Sequence, residues 1–408
     1  MSSFFLLGWR QTAICFLMLA AVGMIAATYS LIAVPIAQEF QPSRMVLMLA
    51  MTVLSGTCAV LSPLIGNLMD RYSLRAMMVT GGLLLGLGYA GLSLAASFTH
   101  VLIVFGVLIA PANVLLGPVA STVLLSRWFV VKRGRAIGIA IAGISAGGFL
   151  FPMIIQGLLD TYQWREALQL LGLVLALWTI PAALLVVNHP AEAGVQPDGA
   201  SEALPQVQAE MQKTVVSPLQ VLSDPAFWMI AGTVAVVTSG MKGMITNLAP
   251  LVMDAGIDVS RAAALVSTYA GCSFLAKLTF AALADRLGPR ILMSLALGGF
   301  SLGLACLTQS HLGYGVIALG VGLTGLLGGF MVPMESYLAP RVFGQHVVGR
   351  AMGLLTGVVL IALLCTPPLF GLIFDLTGSY KGIFWTFSLL ALVTLLFVPS
   401  LRLHPRVP

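Results

Sequence analysis

Charge is scarce in this chain. Asp, Glu, Lys and Arg make up 8% of its 408 residues, against 59% apolar residues, and the mean hydropathy is +1.02. Soluble domains carry roughly a quarter of their residues as charges, so a protein that stays in solution is excluded and an integral membrane protein is implied. Cysteine is equally sparse. Cys15, Cys58, Cys272, Cys306 and Cys365 lie inside apolar stretches without metal-ligand spacing, so they read as small core residues rather than disulfides or metal ligands. A Walker motif, a nucleophile elbow and a polar segment long enough for a catalytic domain are all missing. ATP-driven transport and hydrolysis therefore find no support, and neither an enzyme nor a cofactor is expected.

What the chain does have is a repeat. At one fixed offset Asp70, Arg71 and Arg75 recur as Asp285, Arg286 and Arg290. Pro35 meets Pro250, Glu39 meets Asp254, Pro118 meets Pro333, Arg135 meets Arg350, Pro152 meets Pro367 and Asp160 meets Asp375 at the same offset. Two parallel copies of one polytopic unit follow, the pattern expected of a transporter whose substrate sits between two bundles at mid-bilayer.

Apolar stretches long enough to cross about 30 Å of hydrocarbon fall near residues 12–37, 45–69, 76–97, 101–126, 135–159 and 165–187 in the first copy. In the second they fall near 226–253, 262–283, 291–309, 312–339, 351–374 and 382–401. The fold class is thus all-α and membrane-integral, with about twelve helices in two six-helix parallel repeats. Residues 1–187 and 225–408 form the bundles, and 188–224 is a polar linker whose flanks read as flexible, with Gln206 to Met211 as a short surface helix. Arg10 precedes an apolar run without a clear cleavage site, so that run is a first span rather than a removed signal peptide. With both termini in the cytoplasm, fourteen of the twenty Lys and Arg are cytoplasmic and only Arg44, Arg165, Arg261 and Lys381 fall outside. The net charge of +6 is thus a topology signal scattered over short loops, which excludes a nucleic-acid surface. Short loops and compact length suggest a bacterial inner (plasma) membrane protein, read as a monomer in the lipid bilayer.

Gly66-Asn67-Leu68-Met69-Asp70-Arg71, followed by Arg75, resembles the loop between the second and third helices of the major facilitator superfamily. The second copy, Ala281 to Arg290, replaces the glycine with alanine. Physically, Gly66 admits a close helix, while Asp70, Arg71, Asp285 and Arg286 are placed to cap helix ends and pair between helices, locking one conformation and releasing in the other. Trp128-Phe129, Arg133 to Gly143 and Gly147 resemble the fifth-helix motif of monocarboxylate porters and of bacterial oxalate and formate type carriers. Without the resemblance, the same stretch is a basic loop and a small-residue packing face. Gly371, Asp375 and Gly378-Ser379-Tyr380 are similar to an extracellular loop of these carriers. The acidic and aromatic first-helix motif of eukaryotic monocarboxylate carriers is absent, with Gly23, Thr28 and Tyr29 instead, which speaks against strict lactate or pyruvate specificity.

Two lysines fall inside spans. Lys277 lies eight residues before Asp285, about 12 Å above the end of the eighth helix. The family resemblance implies a substrate-binding arginine at this place, which Lys277 fills with the cation kept and the bidentate fork lost. It reads either as a carboxylate-binding cation or as a lysine snorkelling to an interface. Lys242, eight residues before Pro250, reads as a substrate contact or as the structural partner of Glu335. Their repeat counterparts are Ser62 and Ala27, so the shared scaffold does not require either cation. A bare ammonium at the bilayer centre costs about 3 to more than 10 kcal/mol, and an anionic substrate is one way to offset it. Glu335 is read as a protonatable coupling or gating group, or as a helix-end carboxylate meeting Arg341. The resemblance adds Tyr29, Asn113, Gln156, Asn247 and Tyr269 as cavity candidates, since the first, fourth, seventh and tenth helices face the cavity in this superfamily. Gly86 to Gly91 and Gly320 to Gly325 match a nucleotide-binding glycine pattern, but inside apolar spans they are packing glycines.

The reading is a secondary carrier of a small, monocarboxylate-like organic anion, coupled to protons, with exchange of two anions serving equally well, and with no nucleic-acid partner. The alternatives are a drug or metabolite:proton exporter with the lysines paired to Glu335, and a non-transporting sensor or membrane enzyme on the same scaffold.

Overall fold

The computed structural model describes residues 3–42, 44–198, 218–248, 251–252 and 259–400. Pro250, Asp254, Lys213, Arg402, Arg406 and the Gln206 to Met211 stretch lie outside the described residues. Twelve helices among the described residues are long and apolar enough to cross a membrane. In the first repeat they are α1 (Ser3–Phe40), α2 (Arg44–Arg71), α3 (Leu74–Ser93), α4 (Phe98–Trp128), α5 (Arg133–Thr161) and α6 (Trp164–Leu184). In the second they are α7 (Pro225–Thr246), α8 (Val259–Leu287), α9 (Pro289–Thr308), α10 (Tyr314–Val342), α11 (Val348–Thr377) and α12 (Lys381–Phe397). The seventh helix stops earlier than its apolar run. Asn247 turns its side-chain amide back onto the Gly243 carbonyl at 2.8 Å, competing with helix propagation as a short amide does.

The chain divides into two compact units, Met1–Val216 with Phe343–Gly357, and Ser217–Val342 with Val358–Pro408. Each is held by small-residue contacts, because apolar packing against lipid tails offers no hydrophobic driving force between helices. In the first unit a Cβ at Gly143 would stand 2.2 Å from the Phe16 carbonyl oxygen, and one at Gly147 would stand 2.0 Å from that of Ala20. The fifth-helix glycines are therefore the surface on which α1 and α5 touch backbone to backbone. Gly86 meets Gly172 and Ala176 of α6 in the same way. In the second unit Gly320 faces the Gly303 carbonyl, and Gly243 faces the ring of Phe370.

Both fourth helices of the repeat are interrupted. In α4 a π-helical turn occupies Phe105–Ile109, and the chain breaks at Gly117, with ψ −165, before restarting at Pro118. In α10 a 3₁₀ turn at Gly328–Phe330 separates Tyr314–Leu326 from Met331–Val342. Carbonyls at the ends of α2 and α8 receive equivalent donors: Arg127 Nη2 reaches Met69 O at 2.9 Å, and Tyr337 Oη reaches Ala284 O at 2.7 Å. Met69 and Ala284, each directly before the Asp-Arg pair of its copy, hold the same place in the two repeats.

The start of the expected flexible linker is fixed. Asn188 Oδ1 accepts from Arg75 N at 3.0 Å, Val186 O from Arg75 Nε at 2.5 Å, and Val187 O from Trp128 Nε1 at 2.9 Å. Asp198 then closes over the α4–α5 loop. Its carboxylate accepts three successive backbone N–H groups, from Val130, from Val131 at 3.2 Å and from Lys132 at 2.7 Å. It does for α5 what an N-cap does, since the residue preceding that helix, Lys132, contributes no side-chain cap. Composition suggests mobility; the backbone donors of the loop supply the anchor.

At the opposite end Arg165 gathers three helices. It pairs with Glu39 of α1 at 2.5 Å, donates to Ala95 O beyond α3 at 2.7 Å, and stacks over Trp164 at 4.3 Å. Its hydrogen bonds hold the Glu39 carboxyl below the usual carboxylate range. The contribution of this exposed pair is thus present above that range and lost as pH falls through the lowered value.

Gly147→Ala should lower the apparent melting temperature in detergent by several degrees, because backbone cannot yield to a Cβ at 2.0 Å. Gly157→Ala, in the same helix with nothing within 4 Å, should leave it unchanged or raise it slightly through helix propensity. Asp198→Ala should open the α4–α5 loop, so that limited trypsin digestion cuts after the exposed Lys132 about tenfold faster than in the intact protein. Unchanged cleavage would mean that Asp198 does not hold the loop.

Candidate functional site

In the second unit, the interruption of α10 is where α7 and α8 converge. A Cβ at Gly328 would lie 3.1 Å from Met241 Sδ of α7, and one at Gly329 would lie 2.7 Å from Ala276 Cβ of α8. Lys242 and Lys277 are the residues that directly follow those two contacts. The two cation-bearing helices thus flank the two glycines of the break. Lys277 sits ten residues before the end of α8, roughly 15 Å along its axis, and is only 5% exposed. Lys242 is exposed, and among the described residues no ion pair involves it. Glu335 is half-buried on the last segment of α10, one turn after Met331, and Arg341 stacks over Tyr337 at 4.0 Å. The aromatic edge contacts of Phe280 with Phe330 and Tyr337 fix α8 against the break and the segment that follows it.

The other cavity candidates are committed to neighbouring groups to different degrees. Tyr29 is buried, donates its hydroxyl to Leu47 O of α2 and packs edge-on against Phe105 of the π-turn at 5.3 Å. It staples α1, α2 and α4 together. Asn113 is half-buried beside the Cys58 thiol. Asn247 is the α7 terminator already described. Tyr269 is half-buried, and its carbonyl oxygen lies 3.1 Å from a Cβ built at Gly325 of α10. Gln156 is spent on Asp160, at 2.8 Å within α5.

Asp70 caps α11. Its two carboxylate oxygens accept the N–H groups of Gly349 and Arg350 at 2.8 and 2.9 Å, two of the four donors that a helix N-terminus leaves without partners. Asn67 completes the contact by accepting from Arg350 Nε at 3.1 Å and Nη2 at 2.6 Å. Glycine brings the helices this close: a Cβ at Gly66 would lie 2.2 Å from Gly349 O, and one at Gly353 2.2 Å from Ser62 O. Arg71 and Arg286 are exposed, and Asp285 is half-buried at the matching end of α8. Sequence reasoning anticipates capping by Asp70. It misses Asn67 and the glycine row Gly349, Gly353 and Gly357, whose fourfold spacing is the available signal.

Asp70→Ala should cost about 1–2 kcal/mol through loss of the cap, read as a lower melting temperature in detergent. Asp70→Asn, which keeps one acceptor, should lose about half as much.

The chain matches the Major Facilitator Superfamily over residues 14–258 and 231–408. It is 29% identical to monocarboxylate transporter 11 of Mus musculus over 332 residues, covering 79% of this chain and 71% of that protein. Against monocarboxylate transporter 12-B of Danio rerio it is 27% identical over 369 residues, covering 83% and 75%. The proton:xylose symporter XylE, solved with 6-bromo-6-deoxy-D-glucose, superposes with a TM-score of 0.80 over 98% of this chain and 97% of that one, at 15% identity; this likeness shows the fold alone. With helix content, repeat and family match in agreement, the chain belongs to the major facilitator superfamily as a multi-pass membrane transporter resembling its monocarboxylate group.

Proposed function

We propose that this transporter is a secondary active carrier of a small organic anion of monocarboxylate type, coupled to proton movement and working by alternating access. The observation that carries this reading is Lys277, 5% exposed in the middle of α8 and absent from the matching place in the first repeat. An ammonium held that deep costs several kcal/mol, and a carboxylate ligand offsets part of it through a charge-assisted hydrogen bond. Lys242, exposed on α7 at the other side of the α10 interruption, supplies a second cation for the same anion. The resemblance to monocarboxylate carriers supports the substrate class, and their printed names belong to those proteins.

Charge balance supports the proton coupling. Carrying one net negative charge against the membrane potential costs about 2.3 kcal/mol per 100 mV, and a proton moving with the anion removes that cost. Glu335 is the carboxylate placed to carry it. Asp70, Arg71, Asp285 and Arg286 act as latches at the basic end, which is the cytoplasmic one when both termini are cytoplasmic.

Proteoliposomes given an inward proton gradient should accumulate one or more labelled monocarboxylates. Lys277→Ala should reduce uptake about 10- to 100-fold, the equivalent of one hydrogen bond to a charged group. Lys277→Arg, which keeps the cation, should retain most of it. No uptake of any acid in the panel would overturn the anion reading in favour of export of a larger amphipathic compound.

A further inference from the structure

The two repeats break their fourth helices within four residues of corresponding places, and the breaks share more than approximate position. Pro118 and Pro333, repeat counterparts of each other, lie at the first and third positions of the helical segments that follow each interruption. Neither has an N–H, so Val114 O and Gly329 O, likewise repeat counterparts, lose the donor that a continuous helix would supply. Three residues beyond each proline stands a serine, Ser121 in α4 and Ser336 in α10. Both are buried, at 2% and 1% exposure, and neither hydroxyl has an oxygen or nitrogen hydrogen-bond partner among the described residues. Ser121 has only the weakly bonding Cys15 thiol beside it.

A buried hydroxyl without a partner carries an uncompensated desolvation cost. Ser126, in the same α4 segment, avoids that cost by turning back onto its own helix, to Val123 O at 3.0 Å. Among the described residues, Ser121 and Ser336 are the pair that occupies repeat-equivalent positions beyond a break with both hydroxyls off the helix. A side chain in a helix leans toward its N-terminus, which here is the break.

We infer that Ser121 and Ser336 are positioning residues that each hold bound water at the interruption of α4 and α10, making the two breaks a matched pair of hydrated hinges. Non-helical backbone at membrane depth persists only where protein or water satisfies it, and water can exchange partners as the half-helices tilt, which a direct helix bond cannot. The α10 hinge lies between the lysine-bearing helices, so its bending moves α7 and α8 contacts at the site. The α4 hinge lies beyond the π-turn that Tyr29 packs against. This rests on the transport reading for its consequence, and on geometry alone for the water sites.

A high-resolution structure of the intact protein in lipid should show ordered water within about 3 Å of both serine oxygens. Ser121→Ala and Ser336→Ala should each lose that water and slow carboxylate counterflow about three- to tenfold with KM within about twofold, because the step affected is conformational. Ser126→Ala is expected at the wild-type rate. Absence of water at both sites, with the hydroxyls turned onto their own helix carbonyls, would overturn the inference, as would alanine variants running at the wild-type rate. Failure of the wild-type protein to move any carboxylate would count against the anion reading only, and the water density would still decide the hinges.

Discussion

Close approach of helix backbones is the interaction on which the other features of this protein depend. At Gly143 and Gly147 against α1, and at Gly349 and Gly353 against α2, the space left for a Cβ is between 2.0 and 2.4 Å from a carbonyl oxygen. No side chain fits there, and in hydrocarbon no solvent-driven collapse would compensate for a looser fit. Once α2 and the first turns of α11 are drawn together, the Asp70 carboxylate falls within reach of two terminal N–H groups, and Asn67 reaches the Arg350 guanidinium. The polar contacts at this seam thus depend on the glycine row. Lengthening the helix separation by a methyl group would disconnect them all at once.

Much of this is legible in the chain itself, for a physical reason. Membrane helices announce themselves by length and hydropathy, and charged residues are so rare in them that Asp70, Arg71 and Arg75 recurring as Asp285, Arg286 and Arg290 stand out against the apolar background. The twelve spans, the repeat and the family follow from that. The helix interruptions do not, although Pro118 and Pro333 are matched in the repeat: a proline near the start of a helix and one inside it look alike in sequence, and only backbone torsions separate a restart at Gly117 from a continuous turn. Asp198 is hidden for a different reason. It lies in a stretch whose composition signals a tether, and its partners are backbone amides, which no sequence pattern marks.

The candidate site is legible in part. Depth along the helix places Lys277 and Lys242 inside spans, but depth is one coordinate and the direction in which a residue faces is another. Lys277 is nearly buried whereas Lys242 is exposed, a difference that residue counting cannot supply. Tyr29 and Asn247 show the converse. Both read as cavity polar groups, and both direct their polar atoms to backbone carbonyls, Tyr29 across to α2 and Asn247 onto its own helix. In an apolar interior a polar side chain takes the nearest acceptor unless the fold denies it one.

The contrast between Lys277 and its counterpart Ser62 carries the functional argument furthest. Ser62 is buried at 1% exposure, returns its hydroxyl to Cys58 O at 2.6 Å, and presents its carbonyl to Gly353 at a backbone-to-backbone helix contact. At that place in the first repeat the residue is pure scaffold. The same helical position in the second repeat holds a long cationic stem, beside an interrupted helix, where the scaffold does not require it. A repeat that keeps Asp, Arg and Pro at matched positions while diverging so sharply at one buried site separates what folds the protein from what it carries. On the proposed function, the cation is on the second side of that division.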